Sequence, residues 1–109
     1  MDITKRIASL TEETVNFADI INYTSNPDDI DMLHACELFS QYLHHQLDDI
    51  RNVNQLCDNH PEVIKATSQL YKLSELITNN LTSRQDSIQW HHHLTSFNDE
   101  INSLKSLAA

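Results

Sequence analysis

Glycine is absent from the 109 residues of this sequence, although an average composition would supply about seven or eight. Glycine adopts a positive φ more easily than any other residue, so its absence disfavours tight β-hairpins and glycine-dependent loops. Phosphate-binding P-loops, dinucleotide fingerprints and the nucleophile elbow all require glycine as well. The sequence therefore excludes these enzyme sites, and it predicts a protein that is not an enzyme.

Long apolar runs are absent, and cysteine is scarce. No apolar run approaches the roughly 18 residues of a membrane span, and no basic and apolar leader follows Met1, so we expect a cytoplasmic protein. Cys36 and Cys57 both fall on a predicted apolar face, which favours core residues over a nucleophile. If one straight helix carries both, they lie about 31 Å apart, too far for a disulfide.

Lys and Arg are missing between Arg6 and Arg51, a stretch that contains nine carboxylates. Residues 1–60 carry 11 acids and 3 bases, a net charge of −8, whereas residues 61–109 carry 5 acids and 4 bases, a net charge of −1. Such a field repels nucleic-acid phosphates and anionic lipid, and it attracts a basic partner. An acidic face can also serve solubility alone. The acids that we expect to contact a partner are Asp28, Asp29, Asp31 and Glu37.

The stretch from Asn26 to Pro61 predicts the longest helix. Asn26 is a favourable N-cap residue, and Pro27 suits the first helical position. Apolar residues then recur at steps of three and four, which keeps one face buried: Leu33, Cys36, Phe39, Leu43, Leu47, Ile50, Val53 and Cys57. No helix breaker occurs before residues 59–61, so we expect a central helix over about residues 27–58.

Three further segments show the same helical period. Residues 2–23 predict one continuous helix with an apolar face of Ile3, Ile7, Leu10, Thr14, Phe17 and Ile21. Pro61 begins a third helix that should end near Asn79, with a face of Val63, Ala66, Leu70, Leu73 and Ile77. A polar run over residues 78–87 then interrupts the pattern. A fourth helix should reach about Leu107, with a face of Leu94, Phe97, Ile101, Leu104 and Ala108.

The start of the fourth helix has two predicted capping boxes, Thr82 with Gln85 or Ser83 with Asp86. Four helices joined by short polar turns predict antiparallel neighbours. We therefore expect an all-α single domain over residues 1–109, built as a four-helix up-and-down bundle or as two interlocked helical hairpins.

The long helix should leave apolar surface that a second copy or a partner helix covers, so we expect a homodimer. Replacing a leucine of this stripe by aspartate should dissociate or unfold the protein. The apolar residues that we expect to contact a partner are Leu43, Leu47 and Trp90, the last because a large aromatic with a donor suits a half-buried seam.

Histidine is abundant, with seven residues. His44 with Asp48, and His45 with Asp49, have the i, i+4 spacing that places two side chains on one helical face. Three more are consecutive: His91, His92 and His93. Consecutive rings on a helix point about 100° apart, so these three cannot all converge on one ion. A zinc or nickel site between helices two and four is one interpretation, but surface histidines and no cofactor are favoured, because no C-x-x-C or H-E-x-x-H motif accompanies them.

These observations predict a small acidic helical adaptor, chaperone or inhibitor that binds a basic or apolar helical surface of a partner protein. Two other classes stay open. A metal-binding or metal-sensing bundle would use the histidines. An acidic inhibitor that mimics nucleic acid would present carboxylates spaced like phosphates.

Overall fold

The structure, a computed structural model, describes residues 3–54 and 61–108. The described residues form four α-helices: α1 (Ile3–Thr24), α2 (Ile30–Asn54), α3 (Pro61–Asn80) and α4 (Ser87–Ala108). The prediction of an all-α fold with four helices is confirmed. The ends of α1 and α3 lie within one residue of their predicted positions, because an uninterrupted apolar period marks both helices.

Neighbouring helices are antiparallel. Arg6 near the start of α1 contacts Asp49 near the end of α2, whereas Phe17 further along α1 stacks on the earlier Phe39. The same inverse order relates α2 to α3, α3 to α4 and α1 to α4. This is the up-and-down arrangement, with an additional contact of α1 and α3 across the bundle.

The start of α2 differs from the prediction. Asn26 Oδ1 accepts a hydrogen bond from the backbone N–H of Asp28, and the Asn26 carbonyl accepts one from the N–H of Asp29, both at 3.0 Å. Residues 26–29 therefore form a turn with Pro27 at its second position, which proline favours as much as the first helical position. Asp29 is the N-cap of α2, since its carboxylate accepts the backbone N–H three residues later at 3.2 Å.

The helix thus begins at Ile30 and not at residue 27. Its described length of 25 residues exceeds the 22 residues of α1 and α4 only slightly. The predicted end near residue 58 lies outside the described residues. So do Cys57 and the side chain of Val53.

The start of α4 also differs, because Asp86 itself is the N-cap. Its Oδ1 accepts the backbone N–H three residues later at 2.9 Å, so Asp86 cannot be the third residue of a box begun by Ser83. The side chains of Thr82 and Gln85 do not cap α4. They donate hydrogen bonds to carbonyl groups at the end of α3, at 2.8 and 2.7 Å. The unpaired carbonyls at a helix C-terminus compete for the same donors that a capping box needs.

One cluster of buried apolar side chains fills the centre of the bundle, and all four helices contribute to it. From α2 it includes most of the predicted stripe: Leu33, Cys36, Leu43, Leu47 and Ile50, with Phe39 partly buried beside it. Burying each large apolar side chain stabilises the fold by about 1.5–3 kcal/mol. Within the described residues, the four helices therefore cover most of the α2 stripe by themselves.

Candidate protein-binding surface

The outer edge of the α1–α2 pair carries an aromatic stack. Phe17 of α1 and Phe39 of α2 lie face to face, with ring centroids 4.2 Å apart and planes inclined by 9°. Tyr42 lies 6.1 Å from Phe39 between ring centroids, and its hydroxyl donates a hydrogen bond of 2.8 Å to Glu13 of α1. These contacts close the α1–α2 interface from the outside, while Tyr42 stays 43% exposed.

Two aliphatic side chains extend this edge. Ile20 follows Glu13 by seven residues, about two turns, so it lies on the side of α1 nearest α2. Leu38 precedes Phe39 in the chain and lies one turn before Tyr42. Ile20 is 60% exposed and Leu38 is 54% exposed. We call Ile20, Leu38 and Tyr42 the α1–α2 patch, an apolar surface placed around the aromatic stack.

Carboxylates border this patch on both helices. Asp31 lies seven residues before Leu38, on the same side of α2 and about 10 Å away along the helix. Asp31 is exposed, and on α1 the carboxylate of Glu13 accepts the hydrogen bond from Tyr42. An apolar centre with an acidic border is suited to a partner that presents apolar and cationic side chains together.

Glu13 and Arg6 are charged residues of α1 that contact α2 on the side of the α1–α2 patch. The hydrogen bond from Tyr42 to Glu13 raises the pKa of the Tyr42 phenol, and burial adds to the increase. A groove of about 180 Å³ starts at Tyr42 and Glu13, and Arg6 and Lys5 line it as well. The Arg6 guanidinium is paired with Asp49 at 3.0 Å. The basic side chains that α1 contributes to this face therefore lie at the end away from Asp31.

The acids predicted to bind a partner occupy different environments. Asp28 is exposed, with its carboxylate 3.9 Å from Arg84, and Asp31 is exposed beside the patch. Asp29 is partly buried and caps α2, so its main role in the fold is structural. Glu37 is exposed, but it lies about 100° around α2 from its neighbour in the chain, Leu38. Of these four acids, Asp31 is the one that borders the patch.

The apolar residues predicted to bind a partner are internal. Leu43 and Leu47 are 0% exposed, Trp90 is 3% exposed, and all three belong to the core cluster. The indole N–H of Trp90 donates to Ser25 Oγ at 3.1 Å, so its polar atom also has a partner within the chain. The protein's own helices cover these three side chains, so a partner cannot contact them in the folded chain.

The predicted metal-binding residues are divided among separate faces. His44 Nε2 lies 3.3 Å from Asp48 Oδ2, as the i, i+4 spacing indicates. Asp49, in contrast, faces α1 and pairs with Arg6. Residues 91–93 lie on α4, which does not neighbour α2 in the described part of the chain. Among the described residues, no three His, Cys, Asp or Glu side chains are grouped to hold a metal ion.

A cleft of about 470 Å³ lies between α2 and α3, and His44, His45 and Asp48 line it together with Glu75. Two of these side chains contact Tyr71 of α3: Tyr71 donates a 2.6 Å hydrogen bond to Asp48 Oδ1, and His44 lies edge-on to the Tyr71 ring at 5.6 Å. Burial and this hydrogen bond raise the pKa of Tyr71. Within the described residues, no buried side-chain nitrogen or oxygen lacks a partner. The cleft thus contains a polar contact between α2 and α3, and none of its described side chains has a buried polar atom without a partner.

The sequence analysis did not predict the α1–α2 patch. Ile20 and Tyr42 each adjoin a core residue in the chain, Ile21 and Leu43, and therefore point away from the core stripe. The sequence does contain a signal for such a patch: an apolar residue that lies outside the stripe and close to carboxylates. Single exposed apolar residues are common on protein surfaces, so only the contacts between α1 and α2 show that these belong together.

Comparisons of the chain with protein-family models, with curated proteins and with solved structures gave no significant match. In the part of the chain that the structure describes, no helix combines the length and the apolar character that crossing a bilayer requires.

Proposed function

We propose that this protein is a non-enzymatic interaction module, of the adaptor, chaperone or inhibitor type, whose acidic N-terminal half binds a cationic and apolar surface of another protein. One observation carries the proposal. Seven large apolar side chains are exposed among the described residues, and five of them lie between Arg6 and Arg51, where the chain has no Lys or Arg. These five are Ile20, Tyr23, Ile30, Leu38 and Tyr42.

Apolar area and negative charge act on different properties of such a complex. Burial of the apolar side chains supplies binding free energy, at about 25 cal/mol per Å² before the costs of association are subtracted. The surrounding carboxylates select the sign of the partner's charge and raise the association rate more than the affinity. The same field repels phosphate backbones and anionic lipid. A basic protein surface is therefore the partner that both properties favour.

The homodimer is a separate part of the proposal. Because Leu43 and Leu47 are internal, a second copy would have to use other apolar surface. A groove of about 210 Å³ between α1, α3 and α4, with the half-exposed Leu107 at its edge, is one such surface. Light scattering tests this part: a dimer has about twice the 12.6 kDa mass of the chain, and a monomer at micromolar concentration would rule it out.

The cytoplasm is the proposed compartment. The thiol of Cys36 is free and buried, which supports a reducing environment. The interaction test therefore begins with affinity capture from the host cytosol, followed by reconstitution of the complex from purified components. The reconstituted complex should be stoichiometric, and its Kd should rise with salt because the attraction is partly electrostatic.

Two triple variants then decide whether the acidic half is responsible. The test variant neutralises three acids around the start of α2: Asp28→Asn, Asp29→Asn and Asp31→Asn. The matched control neutralises three acids in the C-terminal half: Glu75→Gln, Asp86→Asn and Asp99→Asn. Each triple includes one N-cap, and asparagine preserves capping. The test variant should weaken binding and flatten its salt dependence, and the control should not. Equal behaviour of both variants would mean that the acids only keep the surface solvated.

A further inference from the structure

We propose that the α1–α2 patch receives a basic amphipathic helix of the partner protein, with apolar side chains against Ile20, Leu38 and Tyr42 and a Lys or Arg side chain over Asp31. This inference rests on the proposed function, and it specifies the place of binding and the class of partner. Three observations carry it: the shape of the surface, its charge and the charge of a second copy.

The surface favours a helical partner. It is formed by two antiparallel helices, whose backbone groups are hydrogen-bonded within each helix, so an extended peptide has no sheet edge to join. Recognition therefore has to use side chains alone. Leu38 and Tyr42 are separated by one helical turn, about 6 Å. Apolar residues spaced i, i+4 and i+7 on a partner helix match this separation, which is the usual mode of a helix bound in a groove.

The charges around the patch favour basic residues on that helix. Asp31 is exposed at the end of the patch nearest the turn between α1 and α2. At the opposite end, Arg6 is paired with Asp49, and Lys5 lines the same groove. Cationic side chains of the partner should therefore lie towards Asp31 and away from Lys5.

A second copy of this chain is a poor occupant of the same surface. Its own patch has the same acidic border, and its residues 1–60 carry a net charge of −8. Pairing two such faces would place like charges together, which is destabilising. A homodimer, if formed, should therefore use a different surface.

The experiment titrates the full, ¹⁵N-labelled protein with three synthetic peptides of about five helical turns. The first has leucine at positions i, i+4, i+7 and i+11 and lysine elsewhere. The second replaces every lysine by glutamate. The third keeps the composition of the first but distributes the leucines so that no apolar face forms. Amide chemical shifts locate the binding site, and calorimetry at low and physiological salt gives Kd.

Matched variants of the protein test the location. Leu38→Ser removes an exposed apolar group from the patch, and its control Ile88→Ser removes an exposed apolar group of α4. Asp31→Asn removes a bordering charge, and its control Asp99→Asn removes an exposed charge of α4. All four side chains lie on the surface, so the fold should persist, and circular dichroism checks that it does.

The lysine peptide with an apolar face should bind and shift amides around residues 13–20 and 31–42. Leu38→Ser should weaken its binding about tenfold, and Ile88→Ser should change it less than about twofold. Asp31→Asn should reduce the salt dependence more than Asp99→Asn. The other two peptides should bind at least about tenfold more weakly.

Binding of the lysine peptide at another surface, without an effect of Leu38→Ser, would overturn the inference. Equal binding of the peptide without an apolar face would overturn it too, because charge alone would then be sufficient. Failure of the lysine peptide with an apolar face to bind at all would also overturn the inference. None of these results decides the proposed function, which depends on the reconstituted host complex and the two triple variants.

Discussion

The indole N–H of Trp90 donates a hydrogen bond of 3.1 Å to the hydroxyl of Ser25, and this bond joins the first turn of α4 to the turn between α1 and α2. Trp90 is buried, so its donor needs a partner within the fold. A second contact at the same end, between Arg84 and Asp28 at 3.9 Å, is largely exposed and contributes little stability. Of these two contacts to the turn between α1 and α2, the Trp90–Ser25 bond is therefore the stronger.

Removing the donor of this bond should destabilise the protein moderately. Trp90→Phe keeps a buried ring, and we expect a loss of about 1 kcal/mol for the hydrogen bond together with a further loss for the smaller ring. Trp90→Ala should cost about 3–5 kcal/mol, because it also removes most of the buried area. Urea unfolding followed by circular dichroism measures both. Ser25→Ala completes a double-mutant cycle with Trp90→Phe, and strictly additive effects would show that the two groups are not coupled.

Truncating the α2 stripe should destabilise the monomer directly. Leu43→Ala and Leu47→Ala each leave a cavity at a position with 0% exposure, so each should lower the free energy of unfolding by about 2–5 kcal/mol. The control Leu38→Ala alters an exposed leucine of the same helix and should change stability by less than about 0.5 kcal/mol. Chemical denaturation at two protein concentrations compares the three. A loss confined to the Leu38 variant, or one that vanishes at high concentration, would contradict the core assignment.

The carboxyl of Glu100 should make stability depend on acid pH. Its pKa is lowered from 4.5, first by the hydrogen bond from Gln69 Nε2 at 2.7 Å and then by Lys72, whose Nζ lies 3.1 Å away. A carboxyl whose folded pKa lies below its unfolded value stabilises the fold above the unfolded value. That contribution is lost as the pH falls through the folded pKa.

Glu100→Gln should therefore reduce stability at pH 7 and have much less effect at a pH below the folded pKa, where wild-type Glu100 is protonated. Thermal unfolding at both pH values measures this difference, and a carboxyl-carbon NMR titration measures the pKa. Glu12→Gln, at an exposed position of α1, serves as the control. An equal effect of Glu100→Gln at both pH values would mean that Gln69 and Lys72 do not stabilise the ionised form.

The thiol of Cys36 should be unreactive in the folded protein. Desolvation by burial raises its pKa to about 12, so the thiolate, which is the reactive form, is almost absent at pH 8. In a Cys57→Ser variant, a thiol reagent should label Cys36 slowly, and the rate should rise steeply with urea as the protein unfolds. Rapid stoichiometric labelling without denaturant would contradict the buried position of Cys36.

The sequence predicted the helices well where a local pattern was sufficient. The apolar period of α1 and α3 specifies both the helix and the face it buries, because any helix must turn its apolar side chains away from water. The helix starts were less certain, since Asn26 and Asp29 are both good caps and Pro27 suits a turn as well as a first helical position. The contacts of the folded turn decide in favour of Asp29.

The candidate site depended on packing that no local pattern contains. Leu43, Leu47 and Trp90 have the spacing and chemistry of an interface as much as those of a core, and only the positions of the other helices show that they are covered. Ile20 and Leu38 look unrelated in the sequence, because 18 positions separate them, and only the antiparallel pairing of α1 with α2 places them on one edge. Composition and periodicity, which are sums over neighbouring residues, determined the all-α fold and the acidic half of the chain. Which apolar residues stay exposed was decided by the tertiary structure, since burial depends on which helices meet.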